Sequence, residues 1–210
     1  AGSFFDIMKY MKKKSVLINF EQSEKSRFLR SKVLILGILV GLNVLAWIGV
    51  FQSNHANLEV TFFDVEQGDS IFVETPQGQQ ILIDGGPTSI ILEKLGKEMP
   101  FWDRTIDLVI LTHPERDHMA GLIEVLKRYR VQNILWTGII RDTAEYQEWQ
   151  RLIKEENAKI YIAQASQKLS FSEKLSFSVL HPFDSLEGKE VKDSNNTSII
   201  LRLVYGEISF

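Results

Sequence analysis

The chain has 210 residues, 44% hydrophobic and 24% charged, which excludes a disordered or collagen-like polymer and allows one domain with appendages. It has no cysteine, which excludes disulfide scaffolds, zinc–thiolate sites and thiol nucleophiles; any metal must be held by His and carboxylates. The formal net charge of −3 is uneven: residues 1–32, with eight Lys or Arg against three Asp or Glu, carry +5, and the remainder carries −8. So acidic a remainder lacks the broad cationic footprint of a strong non-specific nucleic-acid binder.

Residues 1–32 read as a basic cytoplasmic tail. Within it, residues 1–10 precede Met11-Lys12-Lys13-Lys14, which resembles a natural bacterial start, and read as either an upstream extension or a non-native leader. Residues 33–51 contain no charge, and Asn43 is their only strongly polar member. As a helix this run reaches ~28 Å, close to the ~30 Å hydrocarbon core of a bilayer. Trp47 falls where an amphipathic ring suits the interface. A buried core helix and a cleavable signal peptide fit less well: soluble helices seldom run so far without a charge, and no Ala-x-Ala site follows. No Lys or Arg occurs between Lys32 and Lys94. The charge bias therefore predicts a single-pass helix with its N-terminus in the cytoplasm of a bacterial cell and everything after residue 52 outside. Gly37 and Gly41 form a small-x-x-x-small pair that suits a helix homodimer. Residues 52–57 are a polar linker.

From residue 58 the pattern is strand, hairpin, strand, then alternating helix and strand. Residues 58–65 are rich in β-branched and aromatic side chains; 70–74 and 79–84 flank a Pro76–Gly78 turn and predict a hairpin. A helix is predicted over 90–97. Residues 106–111 are almost wholly apolar, as in a strand buried on both faces. Met119, Leu122, Ile123, Val125 and Leu126 have helical spacing, and 144–156 form a charged helix. Strands are predicted at 133–136 and 159–163, with hairpins over 169–180 and 198–210. The last strand stops at Phe210 within an apolar run, which predicts a domain that continues beyond it; a true edge strand is the alternative.

The densest chemistry is Thr112-His113-Pro114-Glu115-Arg116-Asp117-His118, between the buried strand and the helix from Met119. Two imidazoles and two carboxylates in one strand-to-helix loop can converge on a cation, and this is where α/β folds place their sites. His113 and Glu115, two apart in extended backbone, point to one side. Asp117 and His118, at a helix start, can reach a different ion. Asp84 ends the strand before Gly85-Gly86 and can accept the spare N–H of a metal-bound His. Solvated loop residues and a plain Asp-Gly turn are the competing readings of these two segments.

Four blocks taken together carry a family resemblance: residues 62–70 (Phe62-Phe63-Asp64-Val65-Glu66-Gln67-Gly68-Asp69-Ser70), 82–86, 112–118, and 195–201 from Asn195-Asn196-Thr197. In order and spacing they resemble the metallo-β-lactamase-like domain of the ComEC competence proteins over residues 58–210. The resemblance implies an α/β fold, a metallo-β-lactamase-like αββα sandwich, incomplete and preceded by one transmembrane helix. It implies a metal centre in which His113, Asp117 and His118 match the superfamily's H-x-H-x-D-H. Glu115 stands at the second His, a departure that ComEC-like proteins share. Asp84 supports the centre, Asn195 and Asn196 fall near a later ligand, and Asp64 and Asp69 lie in the first block. The family continues into Thr-Gly-Asp and His-His-Gly-Ser segments that this chain does not contain, so the resemblance implies a domain truncated at its C-terminus. Glu66 replaces a common Gly; if that position needs φ > 0, Glu66 is strained by ~1 kcal/mol or more.

These features predict a membrane-anchored metal-dependent hydrolase. His113 and Glu115 would hold one divalent ion, and Asp117 and His118, also the expected catalytic pair, a second. Replacing His by Glu hardens the ligand set, which tilts the choice from zinc toward manganese or magnesium; the expected cofactor is one or two divalent ions, manganese or zinc. The resemblance implies a phosphodiester substrate, DNA during uptake, with the chain as given weakly active or inactive. The alternatives are a non-catalytic or incomplete module of this fold, and a metallohydrolase of esters, thioesters or lactams.

Overall fold

The computed structural model describes residues 4–53 and 57–209. The chain divides into two compact units, one before residue 55 and one from residue 55 onward. Of the predicted 52–57 linker, Gln52 and Ser53 end the helix, and residues 54–56 lie outside the described residues, as does Phe210.

The first unit is one helix, α1 (Phe4–Ser53), which runs well beyond the predicted span. Its Arg27–Val50 stretch is long and apolar enough to cross a membrane by length and composition, and it is fully exposed. Within the apolar run, the Asn43 side-chain amide donates to the Leu39 carbonyl at 3.2 Å, so its polarity is met inside the helix. The Lys32 ammonium lies 4.3 Å over the Phe28 ring.

The second unit is layered. A six-stranded sheet has the order β1 (Glu59–Phe62), β2 (Ile71–Glu74), β3 (Gln80–Ile83), β4 (Thr105–Leu111), β5 (Arg130–Trp136) and β6 (Lys159–Ile162). The first three strands pair antiparallel; β3 to β6 run parallel. The crossovers between the parallel strands are α2 (Ile90–Glu98), α3 (Arg116–Leu126) and α4 (Ala144–Glu155). A second, antiparallel sheet has the order β10 (Ile208–Ser209), β9 (Ile200–Tyr205), β8 (Leu175–His181) and β7 (Lys168–Ser170). The predicted elements are all present; the sequence reading did not include the short 3₁₀ turn Asn195–Thr197.

Alternation along the strands builds two cores, one on each face of the larger sheet. Phe72, Leu82, Val109, Leu111, Ile134 and Trp136 meet Ile91, Leu95, Leu122, Val125 and Trp149 from the helices. Their neighbours Val73, Ile81, Leu108, Ile110 and Leu135 meet Leu175, Phe177, Val179 and Leu203 of the smaller sheet. This is why the end of β4, Leu108 to Leu111, reads as a continuous apolar run: it is covered on both sides. Three successive layers of an αββα sandwich, helices, sheet and sheet, are thus formed by the described residues.

Candidate metal centre

The site forms at the C-terminal edge of β3 and β4, where both parallel strands release the chain. Two close approaches fix the loops there. At Gly121, in α3, a Cβ would lie 1.8 Å from the Gly85 carbonyl oxygen, so the helix and the Asp84-Gly85-Gly86 turn touch backbone to backbone. At Gly68 (φ 79°) a Cβ would lie 2.0 Å from the Asp117 carbonyl oxygen, which brings the 65–69 loop onto the start of α3. Glu66, in the same loop, has φ 73°, the left-handed conformation expected of a Gly position. Its backbone N–H donates to Asp64 Oδ1 at 3.2 Å, so Asp64 serves the turn.

Asp84 is 2% exposed and sits at φ 55°, which Asp tolerates better than most residues. Its Oδ1 accepts the Thr112 backbone N–H at 2.8 Å, and its Oδ2 accepts the Thr112 hydroxyl at 2.6 Å. The same Oδ2 lies 2.8 Å from His118 Nδ1. An ionised carboxylate only accepts, so the imidazole proton sits on Nδ1 and Nε2 keeps its lone pair.

His113 is held by a different logic with the same outcome. Its Nδ1 lies 3.0 Å from Thr112 Oγ1 and 3.1 Å from Ser198 Oγ. Each hydroxyl has already committed its proton, Thr112 to Asp84 and Ser198 to the Asn195 carbonyl at 2.7 Å. Both must therefore accept, the proton sits on His113 Nδ1, and Nε2 is again left free. The two rings stand 4.0 Å apart, centroid to centroid.

Burial, followed by the neighbouring His118, pushes the His113 pKa below the ordinary imidazole value. For His118 burial acts in the same direction, but the hydrogen bond and charge of Asp84, with Asp117 and Asp69 behind it, outweigh it and raise the pKa. Asp69 thus reaches the site through its charge. Asp117, in the first turn of α3, is partly exposed, with Oδ1 4.0 Å from His118 Nε2.

Glu115 is placed differently from the expectation. Pro114 turns the chain tightly, with the Glu115 N–H donating to the His113 carbonyl at 2.9 Å, so the segment is not a straight strand. The Glu115 Oε1 accepts Arg141 Nη2 at 2.7 Å and a short hydrogen bond from the Ser194 hydroxyl. Asn195 contributes its carbonyl, which orients Ser198 toward His113. The Asn196 amide donates to Asp193 at 2.8 Å. Arg141, Ser194 and Ser198 were not legible as site residues.

Among the described residues, no three His, Asp or Glu side chains stand close enough together to hold an ion. His113 and His118 each leave Nε2 open, and the Asp117 carboxylate lies 4.0 Å from the His118 Nε2. Of the Glu115 carboxylate, Oε1 is taken by Arg141 and Ser194.

Residues 63–164 match the family model for the metallo-beta-lactamase superfamily. ComE operon protein 3 of Bacillus subtilis (strain 168) is 29% identical over 170 residues, which cover 72% of this chain and 21% of that protein. The chain therefore spans about a fifth of this curated relative. Solved structures with a similar fold include the metallo-beta-lactamase fold protein YhfI from Bacillus subtilis, 20% identical, covering 73% of this chain and 57% of that one, TM-score 0.46. Igni18, a metallo hydrolase from Ignicoccus hospitalis KIN4/I, is 16% identical and covers 73% and 58%, TM-score 0.44. Residues 63–164 are thus similar to the metallo-beta-lactamase superfamily, and the chain is similar to part of ComE operon protein 3.

Proposed function

We propose that the chain is a membrane-anchored, metal-dependent hydrolase of phosphodiesters, of the kind that would serve DNA uptake. The observation that supports this most is the Asp84–His118 contact beside His113, which leaves two imidazole Nε2 atoms free at a strand-to-helix loop. A divalent ion, Mn²⁺ or Zn²⁺, held there would supply Lewis acidity toward water and a phosphoryl oxygen. Within that reading, His113, Asp117 and His118 bind the ion. Asp84 orients His118 and holds its proton on Nδ1, Thr112 bridges Asp84 to His113, and Ser198 fixes the His113 ring.

The anchor is the apolar stretch of α1, with the N-terminus cytoplasmic and the domain outside. Gly37 and Gly41, where an added Cβ would meet nothing within 4 Å, would form the contact of a helix homodimer. A second reading, a non-catalytic module of the same fold, draws support from the engagement of Glu115 by Arg141.

The test is cleavage of bis(p-nitrophenyl) phosphate and single-stranded DNA by the chain in Mn²⁺ or Zn²⁺. Turnover that is lost with a chelator and in His113→Ala/His118→Ala supports the hydrolase. Equal turnover in the double variant excludes this mechanism, and tight metal binding without turnover favours the module. Protease added to spheroplasts should cut within residues 57–209; protection of that region would reverse the topology.

A further inference from the structure

We infer that the turn between α2 and β4 is a membrane-contact tip: Phe101 and Trp102 enter the lipid–water interface of the bilayer that anchors the chain, and so hold the domain with its His113–His118 edge turned to solution. This rests on the anchor reading above and adds how the domain meets the bilayer.

Strand register decides which edge of the domain lies nearest its tether. β1 begins at Glu59, opposite Glu74 of β2, which in turn stands opposite Gln80 at the start of β3. β4 and β5 run parallel to β3 and start at the same edge, Thr105 opposite Arg130. The chain therefore enters the domain where the parallel strands begin, whereas Asp84, His113 and His118 follow the ends of β3 and β4. Residues 54–58 separate Ser53, the last of α1, from Glu59. Even fully extended, that stretch spans only roughly 20 Å, so the entry edge cannot travel far from a bilayer that holds the apolar helix.

The loop from α2 to β4 turns on this entry edge. The Asp103 N–H donates to the Pro100 carbonyl at 2.9 Å, which puts Phe101 and Trp102 at the two middle positions of a tight turn. Phe101 is 81% exposed and Trp102 55%, with the rings edge to face and 4.8 Å between centroids. The turn is braced on both sides. Met99 is buried, and its N–H donates to the Leu95 carbonyl at 2.8 Å. Asp103 accepts the Thr105 N–H at 3.0 Å and the Gln80 side-chain amide at 3.0 Å. Two large rings on a braced turn present apolar area outward. Indole, apolar with one polar N–H, is a side chain that the headgroup region favours. Charge on the edge is mixed, exposed Arg104 and Arg130 against Glu59 and Glu98, so apolar burial and not net charge drives the contact. The length of β4 sets the site edge roughly 20 Å beyond the turn.

The chain has no cysteine, so a single introduced one reports one place. The experiment puts a fluorophore at Glu98→Cys, on the entry edge, or at Gln67→Cys, in the loop against the start of α3. The full chain is reconstituted into phosphatidylcholine vesicles, and quenching by phosphatidylcholine with a nitroxide on its headgroup is measured. The expected result is strong quenching at position 98 and little at position 67, unchanged at high salt. Quenching at 98 should be lost in Phe101→Ser/Trp102→Ser and kept in Phe101→Leu/Trp102→Phe, with circular-dichroism melts like the parent because both rings lie outside the core. Equal quenching at the two positions, survival in the serine variant, loss in the leucine–phenylalanine variant, or loss in salt would each overturn the inference while the chain still floats with the vesicles. A chain that does not float with them would remove the anchor and this inference together. If Phe101→Ser/Trp102→Ser does not fold, Phe101→Ser alone and the comparison of positions 98 and 67 decide.

Discussion

Asp84 Oδ2 receives both the Thr112 hydroxyl, at 2.6 Å, and His118 Nδ1, at 2.8 Å, so one carboxylate oxygen ties both sides of the site loop. Asp84→Asn keeps the shape and the tolerance of φ 55°, but an amide offers one acceptor oxygen where three donors converge. The expected cost is ~1–3 kcal/mol in urea unfolding, from a buried donor left unpaired. Divalent-ion affinity should fall ~10–100-fold, as for the loss of a residue that orients a ligand. Unchanged stability and affinity would show that the carboxylate is dispensable.

Gly121→Ala should be far more damaging than its chemistry suggests. The new Cβ would lie 1.8 Å from the Gly85 carbonyl oxygen, which is backbone and cannot step aside. Gly96→Ala in α2, where a Cβ meets nothing within 4 Å, is the matched control. It should stabilise by up to ~1 kcal/mol through helix propensity. Thermal melts of the pair check this. A Gly121→Ala protein that melts with the wild type would mean that α3 is free to move off the turn.

The layers were legible because burial leaves a periodic mark. β4 is apolar from Leu108 to Leu111 since Val109 and Leu111 face helices while Leu108 and Ile110 face the second sheet. Asp84, His113 and His118 were legible because the last two share one loop and the first ends a neighbouring strand. Arg141, Ser194 and Ser198 were not. They contact their partners across 26, 79 and 85 residues, and no local pattern marks an Arg or a Ser for such a role. The expectation that His113 and Glu115 point together assumed extended backbone, whereas Pro114 makes a tight turn and Glu115 goes to Arg141.

Glu66→Gly tests the strain predicted for the 65–69 loop. The residue sits at φ 73°, where a side chain costs roughly 1 kcal/mol that Gly does not incur. The Asp64 bond is to the backbone N–H and survives the change. Part of the gain is offset by the greater freedom of Gly in the unfolded chain. The expected outcome is a small rise in melting temperature; a fall would mean that the Glu66 side chain contributes more than its backbone costs.

The two histidines should give opposite pH signatures in chelator. His118 has a raised pKa in the fold, so between the ordinary value of 6.5 and that raised value the folded state holds more protons than the unfolded one. Its stabilising contribution is complete below 6.5 and is lost as pH rises through the folded value. His113 has a lowered pKa, so between that lowered value and 6.5 the unfolded state holds more protons. Its contribution is complete above 6.5 and is lost as pH falls toward the folded value. The gap in melting temperature between wild type and His118→Gln should therefore shrink as pH is raised above 6.5. The gap for His113→Gln should shrink as pH is lowered below 6.5. Parallel curves for the two variants across this range would show that the Asp84 hydrogen bond does not separate the two imidazoles. The same charge balance predicts that protons compete with metal more strongly at His118 than at His113, so ion uptake should weaken on acidification before His113 titrates.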